Sequence, residues 1–344
     1  MQRTPLVTVG IVALNRAWII GKVLLSIQSQ TYSHDSLFIL FVDGASRDGT
    51  ADLAKQKLSE SDFEGYEVIV QKCSIPEGRN ICLERMHGDL LLFWDSDVIM
   101  EPDAVSKLVN ALQTENADLV TSAVRHVTVS STDEIDGKLQ EVINLERKTP
   151  CVEIKTATMG HTLLSKRLTS NVSFDVDLTT QEDLDFCLRA KEKGFELMLC
   201  RNVIVLDVNM FNVAYSDIYI DMPLKDALIG IRKKSRAQVY AYDFSSGWRT
   251  TVNFFSQYKR YLFYIVYIPT IALTIYGLLT RNTYLILVFP VYALIYISLQ
   301  IKRRGITRGL KAFVRSLIVG VPDAFWVIYY LIEYFSKSSK AVKN

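Results

Sequence analysis

The stretch from Gly88 to Met100, GDLLLFWDSDVIM, constrains the fold more than any other part of this 344-residue chain. Five consecutive apolar residues, Leu90 to Trp94, are too few for a buried helix. They read as a strand covered on both faces, as in the middle of a parallel sheet. The run stops at Asp95-Ser96-Asp97. Two carboxylates one residue apart, at the carboxyl end of such a strand, sit where open α/β sheets hold their ligands. Hard oxygen donors there suit a divalent cation, with a nucleotide diphosphate supplying the rest of its shell. The same tripeptide also reads as a polar turn capping the next helix.

The segments around it alternate. Leu6 to Val12 is β-rich and is followed by a turn at Ala13-Leu14-Asn15-Arg16. Trp18 to Ser29 has helical periodicity through Ile19, Val23, Leu24 and Ile27. A second strand, Leu37 to Val42, runs into Asp43-Gly44-Ala45-Ser46-Arg47-Asp48-Gly49-Thr50, rich in residues that tolerate unusual backbone angles. A helix over Ala51 to Leu58, a strand over Tyr66 to Gln71 and a helix over Glu77 to Met86 follow. This order predicts an α/β fold with a parallel sheet and right-handed crossovers. Further on come a helix (Ala104 to Gln113), a strand (Ala117 to Val124) and a polar, turn-rich insertion (Val127 to Leu139). A short run over Thr162 to Leu168 follows Met159-Gly160-His161. The next helix opens at Glu182-Asp183, and a strand from Glu196 to Leu206 ends in Asp207.

The formal charge of +2 offers no case for a nucleic-acid partner. The five cysteines are dispersed, with no CxxC pair, so neither a zinc knuckle nor a disulfide framework is predicted, and a reducing compartment is expected. The opening MQRTPLVTVG lacks the features of a signal peptide.

Three motifs in order, VTVGIVALNRAWIIGKVLLSIQSQTY, FVDGASRDGT and PEGRNICLERMHGDLLLFWDSDV, resemble glycosyltransferase family 2 over roughly residues 5 to 210. The resemblance implies a GT-A fold, Rossmann-like, with a mostly parallel sheet and helices on both faces. It also implies a nucleotide-sugar donor and Mg2+ or Mn2+ as cofactor. Ala13, Asn15, Asp43, Arg79 and Asp95 would then form the nucleotide-sugar site, with Asp43 holding the base. Asp97 would be the direct metal ligand, beside Asp95, and Gly160 and His161 would fall on the acceptor side. Asp183, next to Glu182, would deprotonate the attacking hydroxyl. An alcohol attacks an anomeric carbon poorly unless a base takes its proton. An ordinary acidic first turn, favoured by the helix dipole, would look the same. Asp207 stands near where many relatives carry a metal-binding His, and reads equally as a strand-end turn residue. His161 also reads as a structural imidazole, and Asp43 as a loop Asp capping the next helix. Two departures leave the base open: Leu14 replaces a frequent Tyr, and Gly44 a second acid.

The last third changes character. Tyr261 to Leu279 and Tyr284 to Ile301 carry no charge and are long enough to cross a bilayer core of about 30 Å. Lys302-Arg303-Arg304, Arg308 and Lys311 after them, and Lys259 and Arg260 before, predict cytoplasmic loops around a membrane hairpin. The expected organisation is a cytosolic catalytic domain (1–215), amphipathic interfacial helices (216–260) and a helical membrane region (261–344). Residues 314–335 read as a third span, a re-entrant pair broken at Pro322, or an interfacial helix. Lys225 to Tyr240 predicts a helix attracted to anionic headgroups and membrane lipids. Gln257 to Tyr261 is similar to the Gln-x-x-Arg-Trp motif of processive polysaccharide synthases, which makes Gln257 and Arg260 membrane-edge candidates. It reads also as an aromatic-basic anchor.

These features predict an integral membrane, metal-dependent, inverting glycosyltransferase. A polyprenyl phosphate acceptor, with a second pKa of about 6, needs little help from a base. Glu182-Asp183 therefore favours a hydroxyl of a lipid-linked saccharide, glycolipid or growing polysaccharide over a polyprenyl-phosphate sugar synthase. A non-catalytic sugar-nucleotide-binding subunit is a third possibility.

Overall fold

A computed structural model describes residues 4–145, 150–178, 180–210, 224–242, 244, 250–252, 254 and 259–341. The chain divides into two compact units, Met1–Ala214 and Tyr215–Asn344.

The first unit is built on a nine-stranded mixed sheet. β1 (Val7–Ala13), β2 (Leu37–Asp43), β3 (Gly65–Val70) and β4 (Leu90–Trp94) run parallel in the order β3-β2-β1-β4. The sheet continues through β8 (His161–Ser165), which is antiparallel to β4, and then β6 (Leu119–Val129), β9 (Leu197–Met210) and β5 (Val98–Met100). A two-residue strand, β7 (Val152–Glu153), pairs antiparallel with β9.

Both β2 and β4 are buried at every position, as an uninterrupted apolar run requires. Successive side chains go to opposite faces. Val7, Val9 and Ile11 of β1 and Leu90, Leu92 and Trp94 of β4 join one core, shared with α1 (Ile20–Gln28) and α4 (Ala104–Thr114). Leu91 and Phe93 join the core on the other face, with Cys82 of α3 (Ile75–Arg85) and Phe186 and Cys187 of α7 (Glu182–Glu192). α2 (Thr50–Ser59) lies between β2 and β3 in the chain. α3 starts in a capping box: Ser74 accepts from the Glu77 amide, and the Glu77 carboxylate accepts from the Ser74 amide. It packs so closely on β1 that a Cβ at Gly78 would stand 2.7 Å from Cγ1 of Val12.

Three expectations are corrected here. Residues 127–139 are not a turn-rich insertion. β6 runs on to Val129, and α5 (Ile135–Leu145) follows, burying Ile135 and Leu139 in the first core. Asp207 does not end its strand. It lies inside β9, opposite Val98 of β5 and His126 of β6. Cys151 and Cys200 form a disulfide, against the expectation of none. Pairing Val152 with Leu199 across β7 and β9 brings the preceding and following residues face to face, which spacing along the chain does not reveal.

After α6 (Lys166–Thr169) and α7, the second unit is helical: α8 (Leu224–Leu228), α9 (Ile231–Tyr240), α10 (Lys259–Thr280), α11 (Thr283–Ile286), α12 (Val288–Arg304), α13 (Ile306–Arg315) and α14 (Val321–Ala341). The helical stretches Thr283–Arg304 and Ile306–Ser336, whose most apolar 18-residue windows have mean hydropathies of 2.0 and 1.4, are long and apolar enough to cross a membrane. A single π-helical turn, Ser316–Gly320, joins α13 to α14, so Pro322 does not break residues 314–335 into a re-entrant pair. α9 turns Lys234, Ser235 and Gln238 inward, Ser235 donating to Asp323 at 2.8 Å, and Arg232 lies 4.9 Å over Trp326. Part of its polar face is therefore committed to α14. Gln257 lies outside the described residues. Arg260 falls in the first turn of α10.

Gly78→Ala is expected to force α3 off β1 and lower stability by about 1–3 kcal/mol, read as a fall in the thermal midpoint. Alkylation of the denatured, unreduced chain is expected to label Cys73, Cys82 and Cys187 only, and all five cysteines after reduction.

Candidate active site

The carboxyl ends of β1, β2 and β4 open into a cleft of about 420 Å³, lined among others by Ala13, Leu14, Arg16, Gly44, Arg79, Asp95 and Asp97. That volume lies within the range of small-molecule sites. Its floor is set by a turn at the end of β1. Asn15 adopts φ +53°, donates its amide to Ser46 Oγ at 2.8 Å, and accepts the Arg47 amide at 3.0 Å. The Gly44 amide donates to the Ala13 carbonyl. Asp43 is fully buried, and both its oxygens accept from Ser46, from the amide at 2.7 Å and the hydroxyl at 2.6 Å. It neither lines the cleft nor caps α2. It locks the loop whose Gly44 does line the cleft. Leu14, half-exposed, stands where a stacking aromatic was in question.

Arg79 is the hub. Its side chain is 8% exposed, its guanidinium donates to Glu182 at 2.9 Å, and it lies 3.6 Å from Asp95. The adjacent rings of Phe93 and Phe174 pack against it, with centres 5.9 and 5.5 Å away. Burial opposes its charge, but Asp95, Glu182 and Asp183 together raise its pKa above the ordinary value. The two ends of the predicted constellation, Asp95 after β4 and Glu182-Asp183 at the start of α7, therefore meet across one side chain. Gln181 enters α7 with φ +67°.

Burial and the neighbouring Asp95 push Asp97 up to about 6, against the pull of Arg16, whose guanidinium lies 3.4 Å away. The backbone of Asp97 accepts from the Val208 amide at 2.9 Å, which brings β9 alongside. Asp207 is also raised, by burial, despite the His126 imidazole 2.9 Å from its carboxylate. Asp183 is raised by burial and by Glu182, and opposed by Arg79. Such a carboxylate is a better proton acceptor than one in water.

Asp95, Asp97 and Asp207 are all-oxygen donors, the chemistry a hard divalent ion prefers. Among the described residues, no three His, Cys, Asp or Glu side chains converge as a ready-made cation cage. The donor set fits an ion that takes one or two carboxylates and completes its shell from substrate phosphates.

Gly160 touches the same cluster. Its carbonyl accepts the Asp95 amide at 2.8 Å, and it leaves no room for a Cβ beside the Asp95 carboxylate. His161 is buried, with Nδ1 bonded to Thr121 and Ser122 and Nε2 to Thr158. Burial lowers its pKa to about 4, so it is a neutral, fully engaged ring.

Arg16, Ser46 and Phe174 belong to this site and were not singled out from sequence. Arg16 carried a signal, an arginine three residues beyond a strand end, but its pairing with Asp97 depends on the fold.

Residues 8–169 match the family model described as glycosyl transferase family 2. The chain is similar to glycosyltransferase AglE of Haloferax volcanii, with 25% identity over 203 residues, 58% of this chain and 66% of that protein. The match thus spans just under two thirds of the relative's length. Among solved structures it is similar to the mannosyltransferase PcManGT from Pyrobaculum calidifontis, described in complex with GDP-Man and Mn2+. That likeness has a TM-score of 0.50 and 16% identity, over 96% of this chain and 86% of that one. S. aureus TarS residues 1–349 align with a TM-score of 0.49 and 14% identity, over 68% and 65%. The sheet order and the strand-end carboxylates agree with the match of residues 8–169 to glycosyl transferase family 2, and the chain carries the GT-A fold.

Proposed function

We propose that this protein is a membrane-bound inverting glycosyltransferase. It moves a sugar from a nucleotide-sugar donor to a hydroxyl of a lipid-linked saccharide, glycolipid or growing polysaccharide. The observation that carries the reading is the Arg79 bridge, which holds the acidic pair of the cleft and the Glu182-Asp183 pair in one cluster.

Asp97 and Asp95, with Asp207 beside them, would hold Mg2+ or Mn2+. The ion would neutralise the charge that grows on the departing diphosphate. Asp183 accepts the proton of the acceptor hydroxyl as its oxygen bonds to the anomeric carbon. The bond from that carbon to the diphosphate breaks on the opposite side, inverting the centre. Burial and the neighbouring Glu182 raise the affinity of Asp183 for a proton, while Arg79 holds that rise in check. Asp43 and Asn15 hold the donor loop in shape through Ser46 and Arg47, and each Asp43 oxygen keeps a further acceptor position with which it would hold the base. That hydroxyl acceptors need such a base, and a phosphate acceptor does not, favours the saccharide class over a polyprenyl phosphate.

The long apolar helices and the Lys302-Arg303-Arg304 run support a membrane protein with a cytoplasmic basic loop. The Cys151–Cys200 bridge pulls the other way, because disulfides are rare in a reducing cytosol outside hyperthermophiles. Protease protection of the first unit in sealed vesicles decides the orientation.

Screening the purified full chain against nucleotide sugars, with Mn2+ and then with a chelator, should reveal one donor hydrolysed slowly in the presence of the ion. Indifference to every donor, or to the chelator, would sink the proposal. Asp183→Asn is expected to cut kcat by about 10²- to 10⁴-fold while leaving donor binding intact.

The pH dependence has a fixed sign. Asp183 binds its proton more tightly in the fold than in the unfolded chain, so the fold loses stability as pH rises through that raised value. At pH 7.5 the Asn variant should therefore melt no lower than the parent. The parent's kcat/KM should fall at a pH above the ordinary carboxylate range, where the base becomes protonated. A variant that melts lower, or a profile flat down to pH 4, would contradict this assignment.

A further inference from the structure

We infer that Arg16 is a ligand-exchanging residue of the cleft: in the free protein its guanidinium stands beside Asp97 in the position of a cation, and on donor binding it releases Asp97 and takes the diphosphate. The inference rests on the proposed reading of the cleft as a nucleotide-sugar site, and assigns a role that the acidic residues do not fill.

The backbone of Arg16 is fixed from both sides. Its amide donates to Thr50 Oγ1 at 2.8 Å, and its carbonyl accepts from the Ile19 and Ile20 amides at 3.0 and 2.9 Å. Thr50 is itself tied to Asp48, which also accepts the Ala17 amide. The side chain is held far less. It reaches Asp97 at 3.4 Å, long for a charge-assisted hydrogen bond, and a third of it is exposed. Its Nε is buried with no acceptor. A fork of five N–H donors with one long contact and one buried orphan is poorly matched to its surroundings. The missing partner is an acceptor with several oxygens on one face, and phosphate meets that description through paired hydrogen bonds.

The other guanidinium lining the cleft is already committed. Arg79 has Glu182 and Asp95, with the rings of Phe93 and Phe174 against it. Arg16 is thus the lining cation whose donors are left over. It also lies at the mouth of α1, where the first amides of a helix favour negative charge.

A consequence follows for the cation. A divalent ion and a guanidinium repel when both face one Asp97 carboxylate, and a diphosphate gives the guanidinium somewhere else to go. Ion and diphosphate should therefore bind cooperatively, with Arg16 carrying part of the coupling in both directions.

The test uses the full chain in detergent. Mn2+ binding without nucleotide is followed by electron paramagnetic resonance, and UDP and GDP binding by calorimetry, each in EDTA and in Mn2+. Arg16→Gln should bind Mn2+ alone more tightly, by roughly fivefold, the scale of a partly exposed ion pair. In EDTA it should bind its preferred diphosphate more weakly, by about tenfold or more, the scale of a charged hydrogen bond. Arg16→Lys, which keeps the charge and loses the fork, should hold Mn2+ alone near the parent value and recover only part of the diphosphate affinity. Both variants should melt close to the parent, since only one long ion pair is lost.

An Arg16→Gln chain that binds Mn2+ no tighter, or that binds diphosphate as the parent does, overturns the inference while the reading of the cleft stands. A parent chain that binds neither UDP nor GDP in Mn2+ overturns that reading and this inference together.

Discussion

The first unit depends on one buried cation. Arg79 sits on α3 with almost no solvent access, facing carboxylates from two elements far apart in the chain. Taking a guanidinium out of water is unfavourable by several kcal/mol unless its partners surround it, and stripping one partner from such a cluster costs about 3–5 kcal/mol. That penalty ties the carboxyl end of β4 to the first turn of α7. It also accounts for local choices elsewhere. Gly78 lets α3 come within contact of β1, and the Ser74–Glu77 box fixes where the helix begins. Phe93 and Phe174, packed edge to face against each other, cover the guanidinium with adjacent rings. The acidic residues around it then remain close together without repelling one another out of the fold.

Much of this was legible in the sequence because its signals are local. Leu90 to Trp94 could be assigned to a buried strand from five letters, and the residue after it had to be strand-end and polar. Glu182 and Asp183 fell at a helix start because apolar periodicity begins just beyond them. The family likeness added which of these carboxylates belong together, something no local pattern states.

The parts that escaped depend on partners distant in the chain. Asp43 at the end of β2 has the address of a ligand-binding residue. Its two oxygens each accept from Ser46, three residues on, and Asn15 joins the same lock from the turn after β1. Asp207 followed an apolar run and so resembled a strand end. β9 continues because β5 and β6 supply hydrogen-bond partners on both sides. Residues 127–139 looked like loop because polar residues dominate, yet Ile135 and Leu139 are spaced to anchor α5 on the core. Arg16 looked like a turn residue until the fold set it against Asp97.

The Cys151–Cys200 bridge has a bearing on the rim of the sheet. β5 covers β9 from Val205 to Asp207, and β7 covers it at Met198 and Leu199. A two-residue strand contributes few ladder bonds of its own, so the covalent link, with the Glu153–Lys191 ion pair, helps to keep it seated. Exposed strand rims invite pairing with other chains. Opening the bridge would uncover that margin before it disturbed the cleft, so a reduced molecule would first betray itself by sticking to its neighbours.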